Sequence, residues 1–194
     1  MAEKNLDFDT VIDRTHTNSL KYDFAVQRGK PKDVLPLWVA DMDFQVSSYI
    51  QEALSGNVAH GIFGYSEVEG SYFEAVAGWM SRHYGWNVEE TWLVKTPGIV
   101  FALAQAVRAF TEPGDAVLLQ QPVYYPFSQV IRDNGRKIVD NTLVQGEDGR
   151  YRIDFTDFEE KIRSAHVKLF FLCNPHNPVG RVWTKEELLR LGDI

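Results

Sequence analysis

The sequence predicts an α/β fold with a mostly parallel sheet. Two observations carry that expectation. From Thr91 onward, short apolar runs alternate with longer segments of helical period. The runs Ala116-Val117-Leu118-Leu119 and Val167 to Leu172 are also nearly continuous in apolar residues, as strands covered on both faces require.

In chain order, Met1 to Lys30 is polar and weakly periodic and reads as an irregular arm. Leu35 to Ala40 is apolar but too broken by Pro36 for a central strand, and it runs into a turn at Asp41 to Phe44. Ser47 or Ser48 caps a helix with Ile50, Ala53, Leu54 and Val58 on one face, with Gly56 weakening its centre. Gly61 to Ser66 is a glycine-flanked loop. Ser71 and Glu74 form a capping box for a helix carrying Phe73, Val76, Ala77 and Met80, closed by Gly85. Trp92 to Val94 reads as a strand, Thr96-Pro97-Gly98 as a tight turn and Ile99 to Phe110 as a helix. After the turn Glu112 to Asp115 come a buried strand (Ala116 to Leu119), a helix around Phe127 to Asn134 ended by Gly135, and a strand from Lys137 to Val144. Glu147 to Arg150 is a hairpin-like turn. Asp154 caps a helix reaching about Ala165. Val167 to Leu172 is the next strand. Thr184 and Glu187 form a second capping box, with Trp183 and Leu188 spaced as a hydrophobic staple. The chain stops a few residues into this last helix, which reads as a fragment.

The totals narrow the function. A chain of 194 residues supports one domain with a real core, and 44% hydrophobic with 24% charged residues is ordinary globular composition. A net charge of −7 argues against nucleic acid as a partner. No apolar run approaches the length of a membrane span, and the first residues lack the pattern of a secretory signal. The single Cys173 excludes an internal disulfide and a cysteine-based zinc cage, and His60, His83, His166 and His176 show no metal-ligand spacing. No metal is expected, and a reducing cytoplasm fits these features.

Three strand-end segments converge at one edge if the sheet is parallel. Gly98 opens a helix whose first amides form an anion site, though a plain strand-to-helix turn has the same composition. Tyr124, fixed between Pro122 and Pro126, offers a ring face to a flat ligand or packs over the sheet edge. In Leu172 to Gly180, two Asn-Pro steps force an extended path that presents Asn177 as a fixed amide, unless the segment is an ordinary turn. Taken together, a phosphate turn, an aromatic plate and a directed amide describe a pocket for a flat, phosphorylated, hydroxylated ring, and pyridoxal phosphate (PLP) fits that description. Asp41 and Asp43 look like paired carboxylates but are accounted for as turn residues. Cys173 reads as a small buried hydrophobe.

The order Thr96-Pro97-Gly98-x-x-x-Ala102-Leu103, then Pro122-Val123-Tyr124-Tyr125-Pro126-Phe127, then Asn174-Pro175-His176-Asn177-Pro178-Val179-Gly180-Arg181 resembles fold-type I PLP-dependent enzymes of the class I/II aminotransferase superfamily. Pro36 to Phe44 and Phe63-Gly64-Tyr65 look like its MalY/PatB branch of cystathionine β-lyase-like C–S lyases. The resemblance runs over nearly the whole chain. It implies that residues 1–45 belong to the small domain of the full-length family and 46–194 to the PLP-binding large domain, incomplete at its C-terminus. It implies that the amides of Ile99 and Val100 after Gly98 hold the cofactor phosphate, Tyr124 stacks on the pyridine ring and Asn177 donates to the ring hydroxyl oxygen. Tyr65 would reach the phosphate of a neighbouring subunit in a homodimer, and Val39, Ala40 and Asp41 would lie near an amino-acid substrate.

The family's Schiff-base lysine, its pyridine-pairing aspartate and its carboxylate-binding arginine all lie beyond the glycine matched by Gly180. The only lysine after Gly180 is Lys185, in the first turn of a capped helix, and it does not match. The sheet's middle strands would be missing as well. The resemblance thus implies a PLP-dependent C–S β-lyase releasing thiol, pyruvate and ammonia, with this chain alone inert. An aminotransferase and a non-catalytic dimerisation module are the alternatives. A nucleotide-binding domain is disfavoured because neither the dinucleotide nor the P-loop glycine pattern occurs.

Overall fold

The computed structural model describes residues 7–194; the first six residues of the expected arm lie outside the described residues. The chain divides into two compact units, Met1–Ser71 and Tyr72–Ile194.

The first unit holds turns, a short 3-10 turn at Val26–Arg28 and one helix, α1 (Ser48–His60). The irregular segment expected before Lys30 is observed over its described part. With few apolar residues to bury, this segment is organised by charge. Arg14 donates to Asp41 Oδ2 and to Asp43 Oδ1, each at 2.7 Å, and Lys21 Nζ donates to Asp43 Oδ2 and to the Asp41 carbonyl oxygen, each at 2.9 Å. The Lys21 side chain is only 8% exposed, so its charge sits where water screens it less. The hydrogen bonds from Lys21 and Arg14 hold the Asp43 carboxyl at about 2, below its ordinary range. Just before Asp41, Val39 takes a left-handed φ of 64°, a costly conformation for a β-branched residue, and its carbonyl accepts the Asp41 amide at 2.8 Å. α1 ends at Gly61, whose φ of 74° permits the closing bond to the Asn57 carbonyl. Its apolar stripe at Ile50, Leu54 and Val58 is exposed.

Most of α2 (Gly70–Tyr84) belongs to the second unit, and the helix ends as expected at a left-handed Gly85. The expected capping box fails here. The helix already includes Gly70, so Ser71 lies within its first turn, whereas a capping residue must be non-helical. No strand forms at Trp92 to Val94. Glu90–Trp92 is a 3-10 turn, and Leu93 is extended, but among the described residues no strand lies beside it to complete a ladder. α3 (Ile99–Phe110) matches the expected span.

β1 (Ala116–Leu119) is buried along its whole length. α4 (Pro126–Asp133) begins on a proline, which suits the first turn because its missing N–H is not needed there. The strand expected over Lys137 to Val144 is split into β2 (Lys137–Asp140) and β3 (Val144–Gln145). The break falls at Asn141, fully buried, whose side chain donates to the Asp154 carbonyl and Asp157 Oδ2 and accepts from Gln120 Nε2. β3 pairs antiparallel with β4 (Tyr151–Arg152) around the expected turn. α5 (Phe155–Ser164) is capped by Asp154 Oδ1, which accepts the Thr156 and Asp157 amides at 3.0 Å. β5 (Val167–Phe170) precedes α6 (Lys185–Asp193), whose capping box joins Thr184 and Glu187 as expected.

The main sheet is parallel, in the order β2-β1-β5. Its two faces bury different sets, because alternate side chains of a strand point oppositely. Val117 and Leu119 pack with Val107, Phe127, Val130, Ile131 and Phe171. Leu118 packs with Leu143, Ile153, Phe158, Trp183 and Leu191. Leu188 joins Trp183 there, so the hydrophobic staple is realised. The unit is a helix–sheet–helix sandwich, as the apolar runs predict.

Ile131 is fully buried between α4 and β1, so Ile131→Ala is expected to cost about 2–5 kcal/mol in denaturant unfolding of the chain. Asp43 supports the first unit most above about pH 4, and its contribution is lost as pH falls toward about 2, because the folded value lies below the unfolded one. Acid titration of wild type and Asp43→Asn should therefore show a stability gap that closes over that window.

Candidate functional site

β1 and β5 are parallel neighbours, so their carboxyl ends lie at one edge of the sheet. β1 leads through Gln120 into a cis Gln121–Pro122 peptide and then Tyr124. The Gln121 amide donates to Asp140 Oδ1 at 2.9 Å, its side chain donates to Ser128 Oγ at 3.3 Å, and Val123 packs against the core beside α4. Tyr124 stays 37% exposed, with its ring in edge contact with Tyr125.

β5 leads into Leu172 to Gly180, where both Asn-Pro peptides are cis. His176 is the buried pivot of this loop, 1% exposed. Its N–H donates to the Arg181 carbonyl at 2.6 Å and its carbonyl accepts the Gly180 N–H at 2.8 Å. Its Nε2 lies 3.1 Å from the Pro122 carbonyl oxygen. A carbonyl only accepts, so Nε2 carries the proton and Nδ1 is left as a buried acceptor without a partner. Burial holds the imidazole below its ordinary titration range. Trp183 closes the other side. Its backbone N–H donates to Asn174 Oδ1 at 3.2 Å, its indole donates to the Cys173 carbonyl at 3.1 Å, and its ring meets His176 edge-on. The result is a rigid loop that leaves Asn177 exposed, its backbone amide directed to Cys173 Sγ at 3.4 Å. Cys173 is half-buried against the core, close to its expected place.

The third segment is the start of α3. Gly98 occupies the capping position and provides no side-chain cap, so the first-turn amides at Ile99 and Val100 keep their donors. Both side chains are exposed. One turn on, Leu103 and Ala104 pack against the same cluster as Val123 and Cys173. The structure therefore seats Gly98, Tyr124 and Asn177 on segments anchored in one core, and it ties the last two together directly through His176. Tyr65, Val39, Ala40 and Asp41 belong to the first unit. There Tyr65 is fully exposed, Val39 is strained and exposed, and Asp41 is half-buried and paired with Arg14.

The donor chemistry fits PLP without a covalent bond: open helix amides suit a phosphate dianion, Tyr124 offers an aromatic face and Asn177 an amide. Lys185 begins α6, after the capping residue Thr184. Among the described residues no cluster of His, Cys, Asp or Glu could hold a metal ion, and no helix is long and apolar enough to cross a membrane.

A family model described as aminotransferase class I and II matches residues 32–194. The chain belongs to that family. It is 47% identical over 97% of its length to cystathionine beta-lyase PatB of Bacillus subtilis, of which it covers 49%, and 32% identical over 97% of its length to protein MalY of Escherichia coli, of which it covers 48%. Among solved structures, cystalysin from Treponema denticola, which contains a pyridoxal 5'-phosphate cofactor, aligns with a TM-score of 0.88 at 38% identity. That alignment covers 97% of this chain and 48% of cystalysin. The chain spans about half the length of the curated relatives it matches.

The sequence shows of His176 only that it lacks metal-ligand spacing; its burial depends on the Pro122 carbonyl, 54 positions away, which local pattern does not reveal. Its buried, neutral state has a measurable consequence. In a ¹⁵N-detected titration, His176 should show the Nε2–H tautomer and a pKa below the ordinary value of about 6.5. Because the folded value is depressed, its contribution to stability is present above about pH 6.5 and is lost as pH falls through the folded value. Removing the imidazole in His176→Leu should flatten that part of the pH–stability curve.

Proposed function

We propose that Gly98, Ile99, Val100, Tyr124 and Asn177 form the non-covalent part of a PLP site in a C–S β-lyase that releases a thiol, pyruvate and ammonia from a sulfur amino acid. The observation that carries this reading is the joined pair of strand-end loops, with Tyr124 and Asn177 presented at one sheet edge and locked by His176. The likeness to PatB supports the lyase over other chemistries of the family.

Each residue has a definite task in this reading. The Ile99 and Val100 amides, at the positive end of α3, hold the phosphate. Tyr124 covers one face of the ring and excludes water from it. Asn177 donates to the ring hydroxyl oxygen and fixes the in-plane orientation. When bound, PLP supplies the electron sink for the substrate's α-carbon. Val39, Ala40 and Asp41 lie near the amino-acid substrate, with Asp41 held in place by Arg14. Tyr65 reaches the phosphate of a second subunit in a homodimer. The protein works in the cytoplasm. Residues 1–45 belong to the small domain and 46–194 to the large one.

A second reading, amino transfer, is favoured by the family description. An assay of a longer polypeptide carrying the anchoring lysine separates the two: thiol and pyruvate release from cystathionine supports the lyase, whereas efficient amino transfer without thiol release overturns it.

A polypeptide of these 194 residues should bind PLP reversibly without turnover, and borohydride should leave no adduct on any specific lysine. Tyr124→Ala should weaken PLP binding about two- to tenfold in a fluorescence titration, the worth of one aromatic stack. Binding unchanged by both Tyr124→Ala and Asn177→Ala would remove the site from these residues.

A further inference from the structure

A second candidate site lies away from the residues assigned to the cofactor. A cavity of about 260 Å³ opens between the β3–β4 hairpin and α6, and its wall includes Arg150, Tyr151, Arg152, Phe155, Arg181 and Glu187. Arg150 lies just before β4 and Arg152 within it. Three arginines therefore line one small cavity in a chain whose net charge is −7.

The neighbouring carboxylates are already engaged. Asp148 accepts from Arg152 Nη2 at 2.7 Å, from Arg152 Nη1 at 3.1 Å and from the Arg150 backbone amide at 3.1 Å. Glu187 accepts from Arg181 Nη2 at 2.5 Å and, with its other oxygen, from the Thr184 amide at 2.7 Å. Two carboxylates against three guanidinium groups leave one positive charge over. The Arg181 guanidinium is held over the Trp183 ring at 4.7 Å, and its Nε is buried with no acceptor. The exposed Arg150 side chain, beside carboxylates that are already engaged, is the cation that a small oxyanion in the cavity would meet. Guanidinium forks match the paired oxygens of carboxylate and phosphate. Tyr151 and Phe155 supply apolar walls that strengthen such a contact by excluding water.

We propose that this arginine-lined cavity binds a small oxyanion, a phosphate or a carboxylate, independently of the cofactor site. The test is a ¹⁵N–¹H titration of the 194-residue chain with inorganic phosphate and, separately, with succinate, at constant ionic strength set by chloride. Saturable shifts are expected at the amides of Arg150 to Ile153, Arg181 and Glu187. Saturation by phosphate alone or by succinate alone assigns the class of anion, and saturation by both assigns a general oxyanion site. Arg150→Ala should weaken that saturation by about tenfold or more, as loss of one charge-assisted contact predicts. Arg150→Gln, which keeps the side-chain length, should weaken it similarly. Both variants should keep the dispersed spectrum of the fold, because the Arg150 side chain is exposed. Phosphate shifts confined to Ile99 to Ala102 report the cofactor's phosphate position and overturn the proposal. So does the absence of saturation with both anions, or saturation that both Arg150 variants leave unchanged.

Discussion

Everything in the second unit depends on the burial of β1 on both faces. Val117, Leu118 and Leu119 are each 0% exposed, and the strand is hydrogen-bonded on both edges to parallel neighbours. A strand in that position has no solvent-facing side, so helices must cover each face. α3 and α4 supply one cover through Val107, Phe127 and Ile131, and α5 and α6 supply the other through Phe158 and Leu191. Parallel pairing then brings the carboxyl ends of β1 and β5 to one edge, and that edge is where loops are free to carry function.

The edge is organised by buried polar groups rather than by more apolar packing. His176 ties the loop after β5 to the Pro122 carbonyl after β1. Beneath it, Gln120 donates to Asn141, Asn141 donates to Asp157, and Asp157 meets Lys161 at 2.8 Å. Such a chain carries polarity from the surface of α5 to the buried end of β1, and each bond is stronger for being shielded from water. β2 stops at Asp140, where Asn141 keeps its amide bond to the Leu119 carbonyl at 2.9 Å and adds three side-chain bonds. Rigidity at Asn177 and Tyr124 is a product of these contacts.

The first unit follows a different rule. It lacks a buried apolar core of comparable size, and Ala25 is its one buried hydrophobic among the described residues. Arg14 and Lys21 instead gather Asp41 and Asp43. Turn propensity accounts for the type of residue at Asp41 and Asp43, but their partners come from 20 to 29 positions away, a separation that local pattern does not reveal. The arginine cavity was hidden from sequence reading in the same way, since Arg181 joins Arg150 and Arg152 only after the β3–β4 hairpin folds back near α6.

By itself, the sequence determined the alternation of strands and helices, the two-sided burial of β1, the Asp154 and Thr184 caps, and the three segments that carry Gly98, Tyr124 and Asn177. These are local properties: apolar period, proline and glycine geometry, and the short reach of a capping side chain. Only the tertiary structure decided that Trp92 to Val94 is not a strand, that Ser71 lies inside α2, that β2 ends at Asp140, and that His176 is the buried tie of the site. A strand needs a neighbour and a buried histidine needs an acceptor. Both are supplied by residues distant in the chain, so no local pattern announces them.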